Sequence, residues 1–565
     1  MKKVFYYFLL FLFSFVTFSC DDNDEGGVKN SDEITITTKS YETYLHFEFI
    51  NAKTGEYLTQ EKVTITVLGK DANSVYDNIG VNEDEYTTEV GMFDLVVDPA
   101  KTTSDFIVKA SANGYSDYYY RARINETKFT PIRIPMVSLS NLPEGVSKAE
   151  EKITIPSDGK IKETISISLN SANTVKIPEG TTFKDASGNV ISGNVESKIL
   201  FYDPSKEAAS YAFPGGLNVE AVTPEGQTAD ITFFSAGVFD IEINSGNKMV
   251  KSIEGEGIQL TTKLNSSLIN PNTGNPIKEN DEIEMWSTNP ETGLWVYEKT
   301  AKIKRNANGE LYLQENIDHL SYWNWDWYGN TCSLGSKIKW EGNASGVSVL
   351  IKNQHPLNSY VSKKNVLVDV NDSYNNYVQF QNVPRNMPTT FTFEGTGVYK
   401  ENLTFEPSIL SILNLCDGKT YTVKVTDNGD YNYYHIDLDL KVVSKSNPNI
   451  SLYIYNWGYI RPYSSTYYSY CYINNGKLKT KILAEEDYQL CIYLGNYYGY
   501  GKVKVEEIGN NKLKVKITPN FVYNYTNGAI VDAPIEEMIV DKPADNIIKV
   551  SATFALSDEE INKLR

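Results

Sequence analysis

His319-Leu320-Ser321 is the tripeptide whose residue types come nearest to doing chemistry. A histidine can take the proton of a nearby hydroxyl, and the serine oxygen can then attack a carbonyl. Such a step needs the base beside the nucleophile and a peptide held under strain. The other histidines, His46, His355 and His435, stand apart from any HExxH, GxSxG or phosphate-loop pattern. Carboxylates are plentiful, but spacing in sequence singles out no acid/base pair. Asp369-x-Asn371-x-Ser373 begins like a calcium loop and then lacks its remainder, so it reads as a surface turn. These patterns give no reason to expect a metal or a cofactor.

Four cysteines beyond Cys20 lie in the C-terminal half: Cys332, Cys416, Cys471 and Cys491. They can pair in three ways. The local pairings are Cys332–Cys416 and Cys471–Cys491, and no CxxC or His-x₃₋₅-His spacing points to zinc instead. Aromatic residues form the other chemical signal. Tyr322, Trp323, Trp325, Trp327 and Tyr328 crowd one segment, and 453–472 and 493–500 are dense in tyrosine. Flat rings stack on sugar faces and anchor protein contacts, which makes Trp325, Trp327, Tyr468, Tyr470 and Tyr497 binding candidates. The competing reading is ordinary strand packing, since aromatics are good strand formers.

The elements that must position these residues are strands. Tyr, Thr, Val and Ile are frequent, with many Asn, Asp and Gly turns between them. A chain of 565 residues exceeds one core and implies three to five domains. The expected class is all-β, a tandem array of β-sandwich domains. Its formal charge of −19 excludes nucleic acid as a natural partner and argues against charge docking on anionic lipid.

Residues 34–147 read as a first sandwich, with Val63-Thr64-Ile65-Thr66-Val67 alternating as a half-buried strand must. Its Asn51-Ala52-Lys53-Thr54-Gly55 turn and late Ala112-Asn113-Gly114-Tyr115 resemble the carboxypeptidase regulatory-like (transthyretin-like) sandwich. Residues 148–330 carry Ile177-Pro178-Glu179-Gly180-Thr181, Phe213-Pro214-Gly215-Gly216-Leu217, Thr292-Gly293-Leu294-Trp295 and the His319-to-Asn324 segment in that order. This order resembles the ZU-type sandwich of netrin receptors, ankyrins and cartilage intermediate layer protein, which implies a role in assembly and recognition. Residues 331–440 and 441–565 read as two further sandwich-like modules. Ser557-x-x-Glu560 has the capping-box pattern of a short terminal helix.

The N-terminus gives an address. Lys2 and Lys3 precede an apolar run from Val4 to Phe18, too short to span a bilayer of about 30 Å and suited to a secretory signal over 1–19. Ser19-Cys20 resembles a lipobox, although Thr17 and Phe18 depart from its usual residues. The resemblance implies cleavage before Cys20 and acylation of that residue, with 20–33 as an acidic tether. Asp21, Asp22, Asp24 and Glu25 resemble the export signal of Bacteroidota-type surface lipoproteins. Like charges followed by glycines keep such a stretch extended. The expected location is the outer membrane, held by lipid and facing the cell exterior.

Three functions follow as expectations. The first is a non-enzymatic adhesion or glycan/protein-binding module. The second is a structural or assembly component of an outer-membrane complex. The third comes from a further likeness: His-hydrophobic-Ser/Thr resembles the cleavage site of autoproteolytic domains such as that of adhesion receptors. That likeness makes His319 the base, Ser321 the nucleophile and Leu320–Ser321 the scissile bond. In ZU-like domains the same residues form only a last strand.

Overall fold

The computed structural model describes residues 34–37 and 43–558, save 78–81, 90, 99, 102, 125–128, 247, 290–291, 355–360, 372–375, 397–398, 430–431, 454–455, 463–468, 474–475, 495–496, 525–529, 532–535 and 545. Cys20, the signal and tether segments, Tyr468 and the 559–565 part of the capping-box segment lie outside the described residues. The fold is all-β, a series of paired sheets with one short α-helix, Glu207–Tyr211, among the described residues.

In the first unit, Val75–Asp77, Met92–Val97, Tyr44–Asn51 and Phe129–Met136 make one sheet. Glu85–Thr88, Val63–Leu68, Ser104–Ala112 and Tyr118–Ile124 make the other. Val63–Leu68 alternates buried and half-buried residues throughout, as its sequence period demands. Phe47, Phe49, Val63, Ile65, Leu95, Phe106 and Val108 fill the space between the sheets. The turn after Tyr44–Asn51 is closed by the Asn51 side chain, whose oxygen accepts from the Lys53 and Thr54 amides at 2.9 and 3.2 Å. Gly55 then takes the left-handed φ of 73° that a side chain would strain.

The second unit opposes a five-stranded sheet (Ile165–Ser168, Asn173–Ile177, Ile258–Lys263, Leu311–Ile317, Lys304–Arg305) to a larger one. The larger sheet holds Val146–Ile155, Gly193–Tyr202, Thr228–Ser245, Asn218–Val222, Trp295–Lys302, Glu282–Thr288 and Tyr322–Gly342. Along Thr228–Ser245 the register slips between Ser235 and Gly237. Gly237 has φ 145°, and a Cβ there would sit 2.6 Å from the Phe201 ring, so the bulge requires glycine.

Along Tyr322–Trp327 this larger sheet is buried on both faces. Trp323, Trp325 and Trp327 point between the two sheets of the unit, among Phe201, Phe239, Ile283 and Met285. Tyr322 and Tyr328 point the other way, into a second cluster with Phe213, Phe233, Trp286 and Trp295. Ala52 and Val137 of the first unit complete that second cluster. Asn324 and Asp326, polar residues on this second face, are therefore buried as well. Burial holds the Asp326 carboxyl well above the usual carboxylate range, with the Glu284 charge adding to it.

The borders between units differ from the sequence reading. Tyr322–Gly342 is one strand of 21 residues that leaves the second unit and pairs with Tyr377–Pro384 and Thr420–Asp427 in the third. A border at 330/331 thus falls inside a strand. Tyr433–Ser444 likewise runs through 440/441 and pairs with Lys477–Leu483 and Ile547–Leu556 of the C-terminal sheet. Ile34–Thr37, read as the opening strand of the first domain, pairs in parallel with Ile450–Tyr453. Alternation identifies a strand but not its partner, and these corrections share that cause.

Candidate functional site

Arg121 and Arg123 sit two residues apart on Tyr118–Ile124, so both side chains leave the same face of the strand. Across from them lies the hairpin of Asn218–Val222 and Thr228–Ser245, whose register sets Glu220 directly opposite Asp230. Two carboxylates so placed repel unless a cation joins them. The arginines of the first unit supply it. Arg123 reaches both Asp230 oxygens at 2.9 and 2.8 Å and also pairs with Glu220. Arg121 donates from Nε to Asp105 at 2.8 Å and pairs with Glu220 through Nη2 at 2.6 Å. Against the burial that would raise it, the Arg121 guanidinium holds the Asp105 carboxyl below its ordinary range.

Above this ion-pair floor is a cleft of about 140 Å³ between the first and second units. Tyr119 supplies an aromatic wall, backed by the buried Trp295 and Tyr322; Asn218, Thr288 and Asn289 supply amide and hydroxyl groups. A Cβ on Gly293 would sit 2.7 Å from the Ile107 side chain, so the lining packs tightly against the first unit there. Tyr119 and Tyr322 meet edge to face at 6.3 Å, and burial raises the Tyr119 phenol above its usual range. The Arg121 Nη1 is buried and has no hydrogen-bond partner among the described residues.

The walls are fixed by contacts deeper in the same interface. Tyr322 donates its hydroxyl to the Asp117 carbonyl at 2.6 Å. Ser116 donates to the Asp240 carboxyl at 2.9 Å, a bond buried on both sides. Sequence reasoning missed this site. Its signal was available in two places, the Arg-x-Arg face of one strand and the opposed acids of one hairpin.

The sequence-derived candidates fall elsewhere. His319 and Ser321 are near in sequence but serve different neighbours. His319 Nδ1 contacts Asp318 at 2.9 Å, its Nε2 lies 4.0 Å from Glu298, and its ring packs on Trp323 at 4.7 Å. Ser321 Oγ is engaged by Thr288, accepting from its amide at 3.0 Å and lying 2.7 Å from its carbonyl oxygen. No residue from 319 to 321 has a left-handed φ. The tripeptide thus joins the start of Tyr322–Gly342 to the end of Glu282–Thr288. We expect the chain to run as one band on a denaturing gel, and Ser321→Ala to run identically. A wild-type pair of fragments that Ser321→Ala abolishes would contradict this.

Trp325 and Trp327, candidate sugar platforms in the sequence, are each 1% exposed and belong to the core. The physical reason is that the odd positions of this strand face the opposing sheet, leaving no ring face for a ligand. Tyr470 lies on Ser469–Ile473 and Tyr497 on Tyr497–Gly509, in one C-terminal sheet. Cys332 and Cys416 form a disulfide with Cα atoms 5.9 Å apart. Cys471 lies on Ser469–Ile473 and Cys491 on Tyr488–Leu494, both in the C-terminal sheet. Cys471 stands opposite Gly458 and Cys491 opposite Tyr459, on strands that flank Asn456–Pro462 from its two sides.

Among the described residues no cluster of three or more His, Cys, Asp or Glu is arranged to hold a metal ion. No helix among them is long and apolar enough to cross a membrane.

No protein-family model matches the chain, and no curated protein matches it. Solved structures similar to parts of it include the minor pilin GBS52 of Streptococcus agalactiae, at 7% identity over 39% of this chain and 95% of that one, TM-score 0.14. The Bacillus anthracis TIE protein aligns at 10% identity over 94% of this chain and 75% of its own, TM-score 0.13. The major pilin RrgB of Streptococcus pneumoniae aligns at 7% identity over 91% of this chain and 100% of its own, also with TM-score 0.13. At such scores the likenesses carry no argument about function.

Proposed function

We propose that this chain is a lipid-anchored protein of the outer membrane, displayed on the cell surface, that captures a glycan or protein ligand without altering it. The observation that supports the reading is the cleft between the first two units. Its Tyr119 wall and fixed ion-pair floor offer orientation and hydrogen bonding, which is the chemistry of recognition. In this reading Cys20 carries the lipid, 20–33 is the tether, and the sandwich units hold the cleft away from the membrane. The likeness of the first two units to carboxypeptidase regulatory-like and ZU-type modules belongs to the same proposal. A second reading, a structural component of an outer-membrane assembly, is favoured by one observation. Ile34–Thr37 pairs with Ile450–Tyr453, tying the beginning of the described chain to its last unit.

Protease shaving of whole cells tests the address. Wild type should incorporate a fatty-acyl label and be digested from outside, whereas Cys20→Ala should lose the label and leave the membrane fraction. A wild type that is unlabelled and protected, with Cys20→Ala held equally firmly, ends the proposal. Glycan-array binding by the mature chain separates capture from assembly.

A further inference from the structure

We infer that residues 409–413, at an open sheet edge of the third unit, are where a second copy of this chain joins, strand to strand and antiparallel about a two-fold axis. Val361–Val368, Val347–Gln354, Thr389–Gly395 and Ile409–Ile412 form that sheet, in this order. Ile409–Ile412 pairs with residues 389–392 on one side. Among the described residues no strand pairs with its other side. A strand has N–H and C=O groups along both edges, so this one presents an unpaired row to any strand that approaches. Such pairing is independent of what the cleft captures.

The side chains suit an approaching strand. Ile409, Ser411 and Leu413 are exposed. Leu413, at 78%, is the most exposed large apolar side chain among the described residues, and Ile409 stands at 59%. Leu410 and Ile412 turn the other way, Ile412 into the core of the third unit and Leu410 against it. No charged residue occurs from 407 to 416, in a chain that is 22% charged. Charged residues, lysine above all, normally keep foreign strands off a sheet edge. The opposite edge of this sheet, Val361–Val368, carries Lys363 and Lys364. The 409–413 edge carries no such guard.

The order of residues names the partner. From either end, 409–413 runs apolar, apolar, Ser, apolar, apolar. An antiparallel copy centred on Ser411 therefore sets Ile409 opposite Leu413 of the second copy, Leu410 opposite Ile412, and the two Ser411 residues opposite each other. Residues directly opposite share a face, so exposed apolar side chains meet exposed ones and the two cores run on into each other. Charge favours the same meeting point. Two chains of formal charge −19 repel over most of their surfaces, and here neither brings a charge to the contact. The contact is isologous and closes at two copies. Its shortness puts it below the roughly 1,200 Å² of a standard interface, so the dimer forms reversibly as concentration rises.

The test is sedimentation equilibrium from roughly 1 μM to roughly 1 mM, on the full mature chain carrying Cys20→Ala so that no lipid drives assembly. This parent should pass from monomer to dimer over that range, and its 409–413 amides should gain protection from hydrogen exchange as it does. Ser411→Lys and Ser411→Glu, both at an exposed position, should each weaken dimerisation about fivefold or more, because like charges then face each other across the axis. An equal mixture of the two variants should pair at least as tightly as the parent. Rescue in the mixture separates lost pairing from lost folding. A monomer throughout the range overturns the proposal and leaves the edge to a strand of another protein. A dimer that neither variant weakens, or one whose 409–413 amides stay unprotected, overturns the edge as the contact. Variants that remain monomeric when mixed overturn the two-fold centred on Ser411.

Discussion

Asp240→Asn should make the protein more stable at pH 8 and change it little below about pH 4. Asp240 lies on Thr228–Ser245, buried against the first unit, where Ser116 donates to it at 2.9 Å. Burial pushes its carboxyl from 3.8 up to about 7. The charge of Glu242 adds to the rise, Lys198 and the Ser116 hydroxyl oppose it, and Asp117 adds again. The phenols of Tyr202 and Tyr322, themselves raised by burial, face the same carboxyl and stay neutral. Because the folded pKa is the higher one, the folded chain holds a proton that the unfolded chain has released between about pH 4 and pH 7. The stability this proton contributes is complete below about 4 and is lost as pH rises to about 7. The whole change is about 4 kcal/mol at 1.36 kcal/mol per pH unit. Asparagine keeps the shape, can still accept from Ser116, and does not titrate. Calorimetry from pH 4.5 to 8.5 should show the wild-type midpoint falling relative to the variant, by roughly 2–4 °C for each kcal/mol. Parallel curves for the two proteins would refute a buried, proton-holding Asp240.

Local structure was the part most legible in the sequence. Val63–Leu68 keeps the period its residues set, and Asn510-Asn511, joining Tyr497–Gly509 to Lys512–Asn524, has both φ values positive, at 52° and 57°, as a tight hairpin turn of asparagines allows. Pairing was far less legible. Ile34–Thr37 alternates as well as any neighbour, yet its partner begins at Ile450. Tyr322–Gly342 alternates through a border that depends on which sheets it joins. Nothing in a two-residue period records a change of partner.

The cleft was hidden for a related reason. Arg121, Arg123, Glu220 and Asp230 each look like ordinary solvated charges in sequence, because exposed strand faces carry such residues. Only the meeting of two units turns them into a floor. Asn324 and Asp326 are buried as well, although their polarity would otherwise mark the wet side of a half-buried strand. With one face assigned to solvent, the intervening tryptophans could be read as platforms as readily as core. Burial of both faces removes that ambiguity.

Trp325→Ala is accordingly expected to act on stability and not on ligand binding. The indole is 1% exposed, packs edge-on against Phe239 at 5.5 Å, and stands opposite Met285 and Gly237 on the neighbouring strands. Its Nε1 has no hydrogen-bond partner among the described residues, unlike Trp323 and Trp327, which donate to the His319 and Glu282 carbonyls at 3.1 and 2.7 Å. Truncating Trp325 therefore removes packing and transfer energy without orphaning a second polar group. A core Trp→Ala change costs about 3–5 kcal/mol, which lowers the unfolding midpoint of this unit by roughly 6–20 °C. Trp325→Phe, which refills most of the volume, should recover a large part of that loss. At a temperature where the variant remains folded, its affinity for any ligand of the cleft should match wild type, because the ring lies on the opposite face of the sheet. A variant with an unchanged midpoint and abolished glycan binding would instead make Trp325 a contact residue, and the two-faced burial of this strand would have to be abandoned.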